Sequence, residues 1–310
     1  MTTDQPLAVA DLGSHSALLL IARQKGGELE VLHEDFVITR LGQGVKQSGL
    51  LSEERQQLAL QVLKDFKERA ARFGCSALEV IATEALRKAR NAESFSQRAR
   101  QTLKLSIKVL SAEEEARFAY LGAISVFDGF EKQKFTVIDV GGGSTETTLG
   151  RGRKIEAHAS FPLGAARLAE EMNFKIRLTD EDYRRLQERV ERELVNNPLR
   201  NETDDSRVVV GSGGTITTLA AIVHRMRVYD AQRISKTTLE PEQIKAWFRR
   251  INAMDLKERL RLPGLEAGRE DVLPYGLLIY VTMMEAGQIK RLHVSARGLR
   301  FGYLLSLLNN

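Results

Sequence analysis

Two segments of this chain share one grammar: an apolar strand closed by aspartate, a glycine–serine turn, and a second strand. Asp11-Leu-Gly-Ser-His-Ser16 lies between the apolar runs Leu7–Ala10 and Ala17–Ala22. Asp139-Val-Gly-Gly-Gly-Ser-Thr-Glu146 ends the run Phe135–Val140 and leads into another. Each pair is followed by a third strand, Leu29–Leu32 after the Gly26-Gly27 turn and then Lys154–Phe161. The order is that of a duplicated topology, although an echo this short is equally compatible with chance. Helical patterns alternate with the strands, which makes the chain α/β. Ser52–Phe73 reads as an amphipathic helix with Ser52 as N-cap, an apolar face of Ala59, Val62, Leu63, Phe66, Ala70 and Phe73, and Gly74 as its stop. Leu78–Ala82 and Ile107–Leu110 read as strands, Ala92–Leu103 as a helix, and a further acidic helix starts near Ala112. A new unit opens near Phe127–Lys134, where Asp128-Gly129 signals a turn. Val208–Val210, Gly211-Ser-Gly-Gly-Thr215 and Ile216–Val223 read as strand, loop and helix, and the polar stretch Asn196–Arg207 as a loop.

Composition closes off several classes. A length of 310 residues suggests two domains. The apolar runs are short and broken by charges, so no membrane span is expected, and the start Met1-Thr-Thr-Asp-Gln-Pro6 lacks the pattern of a signal peptide. Cys75 is the only cysteine, which fits a small core residue in a reducing compartment, and the expected location is cytoplasmic. The net charge of +5 suits a polyanionic ligand. No basic stripe with interleaved aromatics argues for nucleic acid, and Arg249-Arg250 and Arg259-Leu-Arg261 read as a solvated helix face.

Three loops carry the chemistry: the two aspartate-led turns and Gly211-Ser-Gly-Gly-Thr215 at a helix start. Glycines let backbone approach phosphate closely, and N–H groups and hydroxyls then surround its oxygens. The third loop adds a helix N-terminus, which favours anions. An aspartate at the end of each of the first two strands could hold a divalent cation. None of the three is a P-loop or a dinucleotide turn. Singly, Asp11-Leu-Gly-Ser can be a hairpin turn, but three consecutive glycines between strands are costly without a reason. Together the three favour phosphate binding. Ser111-Ala-Glu-Glu-Glu-Ala-Arg117 either orients a water through a carboxylate or only complements a helix dipole. Arg87, in Ala82-Thr-Glu-Ala-Leu-Arg87, either clamps a phosphate or sits on the surface.

In this order the segments resemble the exopolyphosphatase and guanosine pentaphosphate phosphohydrolase (Ppx/GppA) family, in a short two-domain form. The others that match are Arg40-Leu-Gly-Gln-Gly44, Asn91, Leu163-Gly-Ala-Ala-Arg-Leu168, Arg269-Glu-Asp-Val272 and Val294-Ser-Ala-Arg-Gly-Leu-Arg300. The resemblance implies an α/β fold of two actin-like ATPase (ribonuclease H-like) domains with an interdomain cleft. The expected division is 1–126 and 127–297, with 298–310 returning as a helix to the first domain. It implies Mg²⁺-assisted release of terminal orthophosphate from inorganic polyphosphate. Glu115 would be the general base, with Glu114 as the fallback, and Asp139 and Glu146 would position metal or water. Asp11, Asp139 and Glu146 would be the metal set. Gly13, Ser14, His15, Ser16, Arg87, Gly142, Gly143, Ser144, Thr145, Gly213, Gly214 and Thr215 would hold phosphates. A homodimer is the expected assembly.

There are departures from the family pattern. His15 stands where asparagine is usual, Leu18 where an arginine or other polar residue often follows, and Ala112 where glycine precedes the acidic cluster. His15 either bonds a phosphate in a pH-sensitive way or only caps a turn. Guanosine pentaphosphate is the alternative substrate. A kinase or ATPase of the same fold, or a catalytically weak sensor binding polyphosphate or a guanosine polyphosphate, is the rival activity.

Overall fold

The computed structural model describes residues 5–196 and 206–308, so most of the predicted Asn196–Arg207 loop lies outside the described residues, as do the first four residues. The chain divides into two units, one of 1–118 with 299–310, the other of 119–298. The division falls inside the helix Ala112–Ile124, ahead of the 126/127 boundary expected from the Asp128-Gly129 turn.

The first unit holds five strands, β1 (Leu7–Leu12), β2 (Ser16–Lys25), β3 (Glu28–Ile38), β4 (Leu78–Ala82) and β5 (Ile107–Val109), in the order β3-β2-β1-β4-β5. β1, β2 and β3 are antiparallel neighbours, while β4 and β5 run parallel to β1. β3 is longer than its apolar stretch Leu29–Leu32, because β2 offers a pairing edge as far as Ser16 opposite Ile38. The second unit holds β6 (Lys134–Val140), β7 (Thr145–Arg151), β8 (Lys154–Phe161), β9 (Val208–Ser212), β10 (Thr238–Leu239) and β11 (Leu292–Val294). Their order, β8-β7-β6-β9-β11-β10, repeats that of the first sheet with one extra edge strand. This is the actin-like arrangement, present twice.

Side-chain alternation decides what each sheet face covers. In β1, Ala8, Ala10 and Leu12 pack under the helix Glu53–Arg72, through Leu63 and Phe66. Ser52 caps that helix, its hydroxyl accepting from the Arg55 amide at 3.4 Å, a contact typically worth about 1 kcal/mol. Val9 faces the other way, into a core of Ile81, Leu110, Phe118 and the C-terminal helix Leu299–Leu308. Asp11 follows Val9 on that second face. In the second unit, Phe135, Val137 and Val210 pack with Tyr120 and Ile124, while Ile138 and Val140 face the larger core built on the helix Leu273–Ala286. That helix is buried all round, which is why its sequence carries no amphipathic period to announce it. No helix among the described residues is long and apolar enough to cross a membrane.

Candidate active site

The two aspartate-led turns are the same structure. In the first, Asp11 pairs with Leu18 and Leu12 with Ala17; in the second, Asp139 pairs with Glu146 and Val140 with Thr145. The Gly13 amide donates to the Ser16 carbonyl at 2.9 Å, and the Gly141 amide to the Ser144 carbonyl at 2.9 Å. Gly13 is therefore the counterpart of Gly141, Ser14 of Gly142, His15 of Gly143, Ser16 of Ser144, and Leu18 of Glu146. The sequence echo is a structural duplication, and the departure at Leu18 acquires a meaning. The first turn lacks the second carboxylate that the other has.

In the first unit, the His15 carbonyl accepts from the Thr39 and Arg40 amides, and the Gly42 amide donates to the Ser14 carbonyl at 2.8 Å. The segment Arg40–Gly44 thus backs the first turn, and both Asp11 and His15 are buried there. Asn91 exchanges two hydrogen bonds with the Leu51 backbone, a structural task. The helix Ala112–Ile124 presents its three glutamates in the first turn. Glu114 turns back to cap it: its carboxylate accepts from the Ser111 amide at 3.0 Å, its own amide donates to the Ser111 hydroxyl at 3.1 Å, and Lys108 lies 2.9 Å away. Lys108 and the Ser111 amide hold its carboxyl below the ordinary range. Glu115 follows Glu114 in the same first turn. It is buried, and one carboxylate oxygen accepts from Arg87 Nη1 at 2.9 Å. Arg87 Nη1 also donates to the Leu110 carbonyl at 2.7 Å, which anchors the guanidinium to the strand end before the helix. Arg87 and Glu115, separate readings in the sequence, are one pair.

In the second unit, register lines up a polar row across four strands: Ser212 beside Asp139, Asp139 beside Glu146, Glu146 beside Ser160. The Ser160 hydroxyl donates to Glu146 at 2.9 Å. Asp139 keeps part of its surface open to solvent yet lies deep among protein atoms, and desolvation pushes its carboxyl up to about 6. The adjacent Ser212 hydroxyl, lacking regular hydrogen-bond geometry, offsets this only in part. The helix Ala165–Glu171 fastens the glycine turn, its Ala165 and Arg167 amides donating to the Gly141 and Gly142 carbonyls at 3.0 and 2.9 Å. Thr145 is tied in by donating to the Leu163 carbonyl. Gly213 carries the chain from β9 into the helix Gly214–Val223 with φ of 91°, and a Cβ there would lie 2.5 Å from an Asp139 carboxylate oxygen. Only glycine suits both demands. Thr215 is buried at the first turn of that helix.

Arg269 bears a role that the segment Arg269–Val272 alone did not disclose. Its guanidinium lies so close over Gly214 that a Cβ would meet Nη1 at 1.9 Å, and its Nε donates to Glu266 at 2.7 Å. A cation therefore sits at the N-terminus of the helix. Ser160 was beyond reach of local reading because strand register brings it to Glu146, whereas Ser212 and Arg269 lay in segments already singled out and only their partners were hidden.

The donor set suits a hard cation, since Asp139 and Glu146 offer oxygen ligands on adjacent strands. Among the described residues no three His, Cys, Asp or Glu side chains cluster closely enough to hold a metal by themselves. A pair of carboxylates still fits Mg²⁺, which keeps several waters and takes ligands from phosphate.

A sequence model of the Ppx/GppA phosphatase family matches residues 20–310. The crystal structure of the Aquifex aeolicus member of that family is 36% identical and superposes with a TM-score of 0.80, covering 98% of both chains. An exopolyphosphatase from Cytophaga hutchinsonii has the same fold, with a TM-score of 0.89 over 98% of both chains at 23% identity. A bifunctional 3-dehydroquinate synthase/phosphatase of Fusobacterium nucleatum is 29% identical over 294 residues, 90% of this chain. The chain spans only 43% of that curated relative's length. With the turns, the register and these likenesses in place, the chain belongs to the Ppx/GppA phosphatase family.

Proposed function

We propose that this chain is a phosphohydrolase that releases terminal orthophosphate from inorganic polyphosphate, with Glu115 as the base for the attacking water. The observation that carries the reading is the Arg87–Glu115 pair: a buried carboxylate in a helix first turn, held through one oxygen by a guanidinium that is itself anchored on the Leu110 carbonyl. The glutamate that a capped helix requires is its neighbour, Glu114. A buried carboxylate oriented by an anchored guanidinium suits a water-activating role.

Phosphoryl transfer asks mainly for positioning and charge stabilisation, with no covalent group on the protein. The second unit supplies these in one row. The backbone of Gly142–Thr145 and the helix start at Gly213–Thr215 offer N–H groups to phosphate oxygens. Arg269, over Gly214, adds a fixed positive charge at the same helix start. Asp139 and Glu146 would hold Mg²⁺, which when bound neutralises phosphate charge. Glu115 would take the proton of a water whose oxygen bonds to the terminal phosphorus as the anhydride P–O bond breaks; the shortened phosphate chain leaves with the bridging oxygen, and orthophosphate is the product.

The test measures orthophosphate release with Mg²⁺ from long polyphosphate, tripolyphosphate and guanosine pentaphosphate, for the wild type and Glu115→Gln. Polyphosphate is expected to be turned over, and the variant to lose roughly a hundredfold or more in kcat. Release from guanosine pentaphosphate alone would replace the substrate. Tight binding without release of phosphate would make the protein a sensor and sink the hydrolase reading.

A further inference from the structure

The helix Leu273–Ala286 runs beneath the second sheet, buried on every side. Two of its tyrosines bring hydroxyls out of water, and each needs a partner there. Tyr275 donates to the Lys175 carbonyl at 2.9 Å. Tyr280 donates to the Ser212 carbonyl, with the Ile138 carbonyl 3.1 Å from the same oxygen.

Those two carbonyls lie on neighbouring strands, one residue apart in register. Ile138 is the residue before Asp139, and Ser212 is the residue before Gly213. Ser212 is the last residue of β9 and pairs with Asp139 before the chain turns away into the helix. A carbonyl at that departure loses its ladder partner and must find another. The Tyr280 hydroxyl is that partner. It works from behind the sheet: Tyr280 packs with Ile138 and Val140, while alternation points Asp139 and Ser212 to the face of Val137 and Val210. The hydroxyl stays a donor, because burial and the nearby Asp139 charge raise its pKa well above the ordinary value.

We infer that Tyr280 is a positioning residue: its hydroxyl sets the separation between the Asp139 strand end and the Gly213–Gly214 turn. It thereby sets the geometry in which a phosphate meets both. The inference takes its ligand class, a phosphoanhydride with Mg²⁺, from the phosphohydrolase reading, but the brace itself is independent of turnover. No contact with the ligand is needed, and the effect passes through two backbone carbonyls.

Tyr280→Phe and Tyr275→Phe, made in the full chain, remove one hydroxyl each from the same helix. Methylenediphosphonate with Mg²⁺, which cannot be hydrolysed, is titrated by calorimetry below the melting temperature of either variant. Affinity is expected to fall roughly tenfold for Tyr280→Phe and to stay within about twofold for Tyr275→Phe. Hydrogen exchange of the ligand-free protein gives a second reading. The Thr217 amide, which donates to the Gly213 carbonyl at 3.3 Å, is expected to exchange roughly tenfold faster in Tyr280→Phe alone. Equal exchange in the two variants overturns the inference, as does faster exchange with unchanged affinity. If the wild type releases no orthophosphate from any substrate, the hydrolase reading fails on its own, and the exchange comparison still decides the place of Tyr280.

Discussion

Glu114 and Glu115 are chemically identical neighbours whose surroundings give them different work. Glu114 closes a reciprocal cap with Ser111 and faces Lys108, whereas Glu115 is buried against Arg87. Glu114→Gln should therefore lower unfolding free energy by about 1 kcal/mol and leave activity within roughly threefold. Glu115→Gln should do the reverse, and parallel urea melts and phosphate-release assays on the two variants separate the roles. If Glu114→Gln is the inactive one, the base has been misassigned. Asp139 offers a second prediction. Its carboxyl is raised in the fold, so in metal-free protein the native state keeps a proton that the unfolded chain releases near its ordinary pKa. That contribution to stability is full below about pH 4 and is lost as pH rises through about 6. Because water reaches part of the side chain, the loss should be about 1–2 kcal/mol, and Asp139→Asn should escape it. Urea unfolding in chelator at pH 4.5 and pH 8 measures this. A gap between wild type and variant that does not change with pH refutes it. In the wild type Mg²⁺ should restore the loss at pH 8, and in the variant it should not.

At the scale of elements, the duplicated turns have diverged in one informative place. The second keeps Glu146 across from Asp139, and the first has Leu18 across from Asp11. The carboxylate pair thus belongs to the second unit, which is why the Mg²⁺ proposal rests there. Arg259 shows how much a single side chain can organise between elements. It is fully buried, with Nε donating to the Ile251 carbonyl at 3.0 Å, Nη1 to Glu270 at 2.7 Å, and Nη2 to Ile176. Three separate segments end on one guanidinium, and Glu270 follows Arg269 in the chain. Arg259→Met would strand three carbonyls and should cost about 3 kcal/mol or more. A denaturation midpoint that implies less than about 1 kcal/mol would mean water had replaced the guanidinium. The reading of Arg259-Leu-Arg261 as a solvated face is corrected at this position. Arg259 lies inside, and that face does not include it.

At the scale of the molecule, the first unit is assembled from both ends of the chain. Leu299, Phe301, Tyr303 and Leu304 complete a core with Val9, Leu20, Ile81 and Phe118. Phe118 and Tyr303 meet edge to face at 5.2 Å. Removing residues 299–310 would expose several large apolar side chains, each worth about 1.5–3 kcal/mol when buried, against a net stability of about 5–15 kcal/mol. The truncated chain should fail to fold cooperatively in that unit. Circular dichroism melts and proteolysis of the truncated protein check this, and a full-length-like melt would show that the unit closes without its last helix.

The sequence by itself determined the local facts. Apolar runs ended by Asp-x-Gly specify strand, turn and strand. Ser52 and the Ala59–Ala70 face specify a helix, and Gly211-Ser-Gly-Gly-Thr215 specifies a strand running into a helix start. These are legible because they depend on propensity, period and capping within a few residues. The tertiary structure decided which residues meet. Register alone puts Ser212, Asp139, Glu146 and Ser160 in one row, and makes Leu18 the counterpart of Glu146. Packing alone lays Arg269 over Gly214, turns Arg87 toward Glu115 and sets Tyr280 beneath Ser212. The reason is physical: side-chain partners far apart in sequence are selected by the global arrangement of strands and helices, and no window of a few residues contains that arrangement. The all-round burial of Leu273–Ala286 hid even that helix from a periodic reading, and with it Tyr280.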